Sequence, residues 1–195
     1  MAGILHVCRA NRARSALAEL ATRELLVRHG LDGVLPVGGA GTWTPGGEPM
    51  WPPAAQEALR WGWDPSSFRS RGLSVPLVRE ADLVLAATRG LRDEVIAQAP
   101  FAVRRTFTWL ELAWLIGGLG SAGLLGDLDP LAPEQRLTEL PSLLGRVRGR
   151  LSVPPGSSFD VLDPVDCPPE YLPVATQQIQ RCVALLVGVL AGHAN

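Results

Sequence analysis

A chain of 195 residues is long enough for one good core, and a single domain, 1–195, is the default expectation. Its 47% apolar and 19% charged residues exclude a disordered chain, and its net charge of −1 leaves no basic field for nucleic acid or an anionic membrane. The cysteines, Cys8, Cys167 and Cys182, are too few and too scattered for a disulfide scaffold or a four-cysteine zinc site.

Met1-Ala2-Gly3-Ile4 lacks the basic region of a signal peptide, and the apolar run 183–191 is too short to span a bilayer. Cytoplasm is the expected compartment. Residues 4–7 read as a buried strand, and 15–29 as a helix closed by Gly30, with Leu17, Leu20, Ala21 and Leu25 on one face. A second strand is expected at 34–37, followed by a glycine-rich loop over 38–47 and a helix over 52–61 with proline in its first turn.

A third strand follows at 83–87, a helix at 91–98, a fourth strand at 103–108 and a helix at 109–116. Strands alternating with helices imply crossover units, hence an α/β fold with a parallel sheet covered on both faces. Residues 117–132 show no clear period. A surface helix over 133–150 is interrupted by Pro141 and Gly145, and 152–158 reads as a linker. The final helix has the clearest pattern: Tyr171, Ala175, Ile179, Cys182, Val183, Leu186, Val187 and Leu190 repeat at helical spacing and predict a core face.

The chemistry lies in Val7-Cys8-Arg9-Ala10-Asn11-Arg12-Ala13-Arg14-Ser15, between the first strand and the first helix. In an open parallel sheet ligands bind beyond the carboxyl ends of the strands. A chain turning there aims several backbone N–H groups at one point, and the helix adds its positive end, so the site suits a phosphate dianion. Cys8 stands at the strand end, where the same field favours a thiolate nucleophile. Arg14 can hold two phosphate oxygens with its planar fork. Ser15 can donate to the sulfur, and Asn11 tolerates the left-handed conformation that tightens such a loop.

A phosphate monoester also needs a proton for its leaving oxygen. Asp163, stiffened by Pro164 in the loop before the last helix, is a candidate; Asp-Pro is also an ordinary turn pair, and Asp129-Pro130 is a second copy. His6, His29 and His193 stand apart, so no metal and no cofactor is expected, and His6 reads as a packed strand residue.

These pieces resemble the low-molecular-weight protein tyrosine phosphatase family, which carries an N-terminal Cys-x-Gly-Asn-x-Cys-Arg-Ser loop and a late Asp-Pro loop. Gly39-Ala40-Gly41-Thr42, Phe68-Arg69-Ser70-Arg71-Gly72-Leu73 and Ala81-Asp82-Leu83-Val84-Leu85 are similar to further segments of that family. The resemblance covers roughly 3–112 and 158–192 and leaves 113–157 as a helical or loop addition. It implies a three-layer sandwich on a four-stranded parallel sheet. It also implies Cys8 as nucleophile, Arg14 as phosphate clamp and Asp163 as acid and then base, with Arg9, Ala10, Asn11, Arg12, Ala13 and Ser15 forming the phosphate loop.

Ala10 stands for the family's Gly, Ala16 for its Pro, and Ala13 for its second cysteine, so the usual neighbouring disulfide cannot form. Val165-Asp166 replace the aromatic residues that grip a phosphotyrosine ring, and Trp43, or failing that Trp51, is expected to supply a pocket wall. The expected partner is a phosphorylated protein or a small phosphomonoester. Three alternatives stay open: a non-catalytic phosphate-sensing module, an arginine-phosphate phosphatase, and an arsenate reductase. The last is disfavoured because 83–98 lacks the relay cysteines of the thioredoxin-coupled forms. Cys167, four residues past Asp163, is a candidate disulfide partner for Cys8.

Overall fold

The computed structural model describes residues 3–153 and 156–192; the Met1-Ala2 start, His193 and two residues of the expected linker lie outside them. Four parallel strands, β1 (Ile4–Cys8), β2 (Val37–Gly41), β3 (Leu83–Ala86) and β4 (Thr106–Thr108), pair in the order β2-β1-β3-β4. Parallel pairing requires crossovers, and helices α1 (Arg14–Arg28), α2 (Pro52–Arg60), α3 (Val75–Glu80) and α4 (Arg89–Gln98) lie in them, while α5 (Trp109–Ser121), α6 (Pro133–Arg148) and α7 (Tyr171–Ala191) follow β4 and add to the cover of the sheet.

β1 alternates between two cores, as a strand buried on both faces must. Ile4 and Cys8 join the larger core with α1, α5, α6 and α7, while Leu5 and Val7 join a smaller one with Val78, Val84, Val95 and Ala102. Cys8 is the last residue of the central strand, so the chain leaves the sheet where the strand order reverses, the place where such sheets bind ligands.

Two strands sit later than their sequence suggests. The strand expected at 34–37 begins only at Val37 and runs through Gly38, Gly39 and Gly41. A Cβ on Gly39 would stand 2.5 Å from Asn11 Nδ2 and 2.8 Å from Glu19 Oε2. The glycines mark close approach of another segment, not a loop. The strand expected at 103–108 is halved, because Pro100–Arg105 winds into a 3₁₀ turn and β4 keeps only Thr106–Thr108.

The segment 117–132, without period in sequence, is helical to Ser121 and then makes a second 3₁₀ turn, Leu125–Leu128. Gly118 lets the Leu151 side chain lie close on α5: a Cβ there would meet Leu151 Cδ1 at 2.3 Å. At six residues α3 is too short to show a helical repeat in the sequence. α6 runs straight through Pro141, and it is no mere surface helix: Leu137, Leu140, Leu144 and Val147 are buried in the main core.

The whole of α7, longer than the run 183–191, is long and apolar enough to cross a membrane by length and composition. Here it packs along α1 and α5 and buries Ala175, Ile179, Cys182, Val183, Leu186, Val187 and Leu190. Burial pushes the Cys182 thiol up to about 12, which leaves it an inert packing group.

His6 is a packed strand residue. Trp109 Nε1 donates to its Nδ1 at 3.0 Å, and because indole only donates, the ring proton must sit on Nε2, 2.9 Å from Thr22 Oγ1. A second proton has no acceptor, and burial lowers the His6 pKa to about 3. The unfolded chain takes this proton below about pH 6.5 while the native chain refuses it, so stability is lost as pH falls from there towards 3. Denaturant titrations should show an added loss of about 1.4 kcal/mol per pH unit across that window, absent in His6→Gln. Equal slopes in the two proteins would refute this.

Candidate active site

Beyond Cys8 the chain turns back on the sulfur. Asn11 has φ of 52°, the left-handed conformation asparagine tolerates, and is the only non-glycine residue with positive φ among those described. Ala10 therefore needs no glycine-like backbone. The turn brings Asn11 N–H to 3.2 Å from Cys8 Sγ, and Ser15 Oγ donates to the same sulfur at 2.9 Å. Asn11 Nδ2 donates to Ser15 Oγ at 2.8 Å, orienting the hydroxyl proton toward sulfur. Asn11 Oδ1 is held by the backbone N–H of Arg71 at 2.8 Å. The segment 68–73 thus braces the loop through main chain, and Arg71 Nε reaches Gly39 O at 3.2 Å.

Ala13 precedes α1 and offers no side-chain cap, and the first turn holds no acid, so the helix start keeps its donors and its positive field. Glu19, buried one turn on, is held above the usual carboxylate range by burial, against the pull of Arg23 and Arg71 and the Gly39 N–H.

Arg14 is 4% exposed, yet its guanidinium is charged, so its partners matter. Nη1 donates to Val161 O at 3.0 Å and Nη2 pairs with Asp163 Oδ2, while Nε is buried with no protein partner. Val161 N–H in turn bonds Ala87 O at 2.8 Å, and Leu162 N–H bonds the Tyr171 hydroxyl at 3.1 Å. These bonds hold the Asp-Pro loop over the carboxyl ends of the strands. Asp129, in the other Asp-Pro pair, lies in the turn between α5 and α6 with its carbonyl bonded to Arg136.

The side chains of Arg9 and Arg12 splay outward. Arg9 lies 5.5 Å from the Trp43 ring centroid, and Arg12 pairs with Glu48 at 2.7 Å and donates to Pro49 O at 3.0 Å. A cavity of about 200 Å³ over Cys8 is lined by Ala10, Arg12, Ala13, Arg14, Trp51, Asp163 and Val165. Trp43, the first choice for its wall, is 76% exposed and lines the outer clefts of about 400 and 450 Å³ instead. Trp51 lines the inner cavity. Cys167 is half-buried with a free thiol and is not among the residues around Cys8.

The cradle around Cys8 coincides with a family profile, that of the low molecular weight phosphotyrosine protein phosphatases, matching residues 3–112. The chain belongs to this family. No curated protein sequence matches it. Among solved structures it is similar to the low molecular weight protein tyrosine phosphatase of T. tengcongensis, with 22% identity and a TM-score of 0.67 over 96% of this chain and 97% of that one. It is also similar to the YwlE arginine phosphatase of Geobacillus stearothermophilus, with 22% identity and a TM-score of 0.64 over 94% and 89%. A C-to-S mutant of YwlE arginine phosphatase with a phosphorylated active-site serine matches at 20% identity and a TM-score of 0.68 over 96% and 93%. At these identities the likeness speaks for the fold. Family membership makes the chain a member of a phosphatase family, while Asp163, α6 and α7 lie beyond the matched residues.

Proposed function

We propose that this chain hydrolyses phosphate monoesters, phosphotyrosine in cytoplasmic proteins foremost, through a phosphocysteine intermediate on Cys8. The observation that carries the reading is the convergence of Asn11 N–H and Ser15 Oγ–H on Cys8 Sγ beside the buried, unpartnered Arg14 Nε. Two donors on one sulfur stabilise it as a thiolate and as a leaving group. Arg14 Nε and Nη2 are the fork that takes two phosphoryl oxygens.

In the first step the thiolate attacks phosphorus and the ester P–O bond breaks, with Asp163 giving its proton to the departing oxygen. In the second, the Asp163 carboxylate takes a proton from water, the water oxygen attacks phosphorus, and the S–P bond breaks to release inorganic phosphate and the thiolate. Phosphoryl oxygens and Asp163 compete for the same Nη2, so a bound phosphoryl group frees the carboxyl to act. The phosphorylated serine of the YwlE mutant supports a nucleophile at the corresponding kind of position.

Acid-quenched turnover of a radiolabelled phosphotyrosyl peptide should leave label on the peptide that contains Cys8. Steady turnover with no labelled protein would overturn the reading. An arginine-phosphate substrate is the second reading, favoured by Glu94, Asp163 and Asp166 in the outer cleft, where guanidinium N–H groups would find acceptors. Profiling with phosphoarginine peptides alongside phosphotyrosine separates the two.

A further inference from the structure

The lining of the cavity over Cys8 is of two kinds. Arg12, Arg14 and Asp163 bring charge, while Ala10, Ala13, Val165 and Trp51 bring apolar surface. A phosphate on a small acyl or alkyl group engages the charged groups and leaves the apolar surface unused, and an apolar cavity of about 150 Å³ is enough to take up benzene.

Trp51 is the large, flat member of that apolar lining, and its backbone is held on three counts. Its N–H donates to Arg12 O of the phosphate loop at 2.8 Å. Arg12 in turn grips the segment just before it, through Glu48 at 2.7 Å and Pro49 O at 3.0 Å. The Pro52-Pro53 pair that follows keeps Trp51 out of the helix, at φ −55° and ψ 127°, where it serves as the first residue before α2. Its side chain packs against the main core, beside the buried Met50. A rigid aromatic surface tied to the phosphate loop is ordered before any ligand arrives. Trp43 is likewise bonded to the loop, its N–H donating to Arg9 O at 2.8 Å, but its side chain is 76% exposed and stands outside the Cys8 cavity.

We propose that Trp51 is the specificity-determining wall of this site, packing against the ring of an aryl phosphate, with Arg12 as the positioning residue that sets its distance from Cys8. The inference rests on the phosphatase reading above. It also accounts for a pocket that keeps an aromatic wall although Val165-Asp166 stand after Asp163-Pro164.

The test is calorimetric titration of the full chain with benzylphosphonate and with inorganic phosphate, neither of which needs turnover. The wild type should bind benzylphosphonate more tightly than phosphate. Trp51→Ala should cut that advantage roughly tenfold, and Trp51→Phe should restore it to within about threefold. Trp43→Ala should change it by less than about twofold. If Trp51→Ala fails to fold, Trp51→Leu keeps apolar bulk against the core without a flat face and should lose the same advantage. An advantage that survives loss of Trp51, or that vanishes with Trp43→Ala, overturns the assignment. Binding as expected with no hydrolysis of any ester would sink the phosphatase reading and keep the wall. Hydrolysis of aryl phosphates, with the benzylphosphonate advantage intact in Trp51→Ala, would do the reverse.

Discussion

Cys8→Ser should abolish hydrolysis of p-nitrophenyl phosphate, by at least about a thousandfold, while inorganic phosphate still binds. The two effects separate because the nucleophile and the anion cradle are different groups. The cradle consists of backbone amides of the turn, the start of α1 and Arg14, none of which is altered. A serine hydroxyl fits where the thiol stood, beside Ser15 Oγ, but it is a far weaker nucleophile than a thiolate. Arg14→Lys should lower kcat by roughly a hundredfold or more and weaken phosphate as well. An ammonium is a point charge that cannot present Nε and Nη2 as a fork. Circular dichroism must first show both variants folded, since Arg14 also holds Val161 and Asp163. Turnover by Cys8→Ser near the wild-type rate would end the covalent mechanism.

Asp163→Asn should slow turnover by roughly 100- to 10,000-fold, and the loss should grow with the basicity of the leaving group. Nitrophenolate leaves well without a proton, whereas the phenolate of phosphotyrosine leaves poorly, so phosphotyrosine should suffer more. The same change removes the anionic partner of Arg14 Nη2, so inorganic phosphate should bind at least as tightly as to the wild type. A uniform loss across leaving groups would instead mean that Asp163 only positions Arg14. The contrast matters because Asp163 contacts Arg14 and not the sulfur. The acid role requires the carboxyl to leave that pair when a phosphoryl group takes the fork.

Where a feature depends on neighbours in the chain, the residues announce it. α7 repeats apolar side chains at helical spacing, and the strand–turn–helix around Cys8 lies within 4–28, so the loop that gathers Cys8, Asn11 and Ser15 was legible. Arg14 was legible for the same reason. The Asp-Pro loop was visible as a segment; local sequence left two Asp-Pro pairs, the family resemblance pointed to Asp163, and contact across 149 positions sets that residue against Arg14.

The misleading glycines share one physical cause, close approach by distant segments. Glycines 38, 39 and 41 look like a loop because their neighbours, Arg71, Asn11 and Arg9, come from elsewhere. Gly118 likewise looks like a helix breaker until Leu151 is packed upon it. Trp43 and Trp51 are equivalent candidates on paper. Both donate a backbone N–H to the phosphate loop, but two prolines and packing against the main core set Trp51 beside the cavity over Cys8, while Trp43 is left exposed under Arg9. The sequence by itself determined the nucleophile loop, the helix behind it and the family, because short-range periodicity and spacing encode them. Tertiary structure alone decided that Trp51 and not Trp43 lines the cavity over Cys8 and which glycines lie against that loop, because contacts between segments far apart in the chain leave no local pattern.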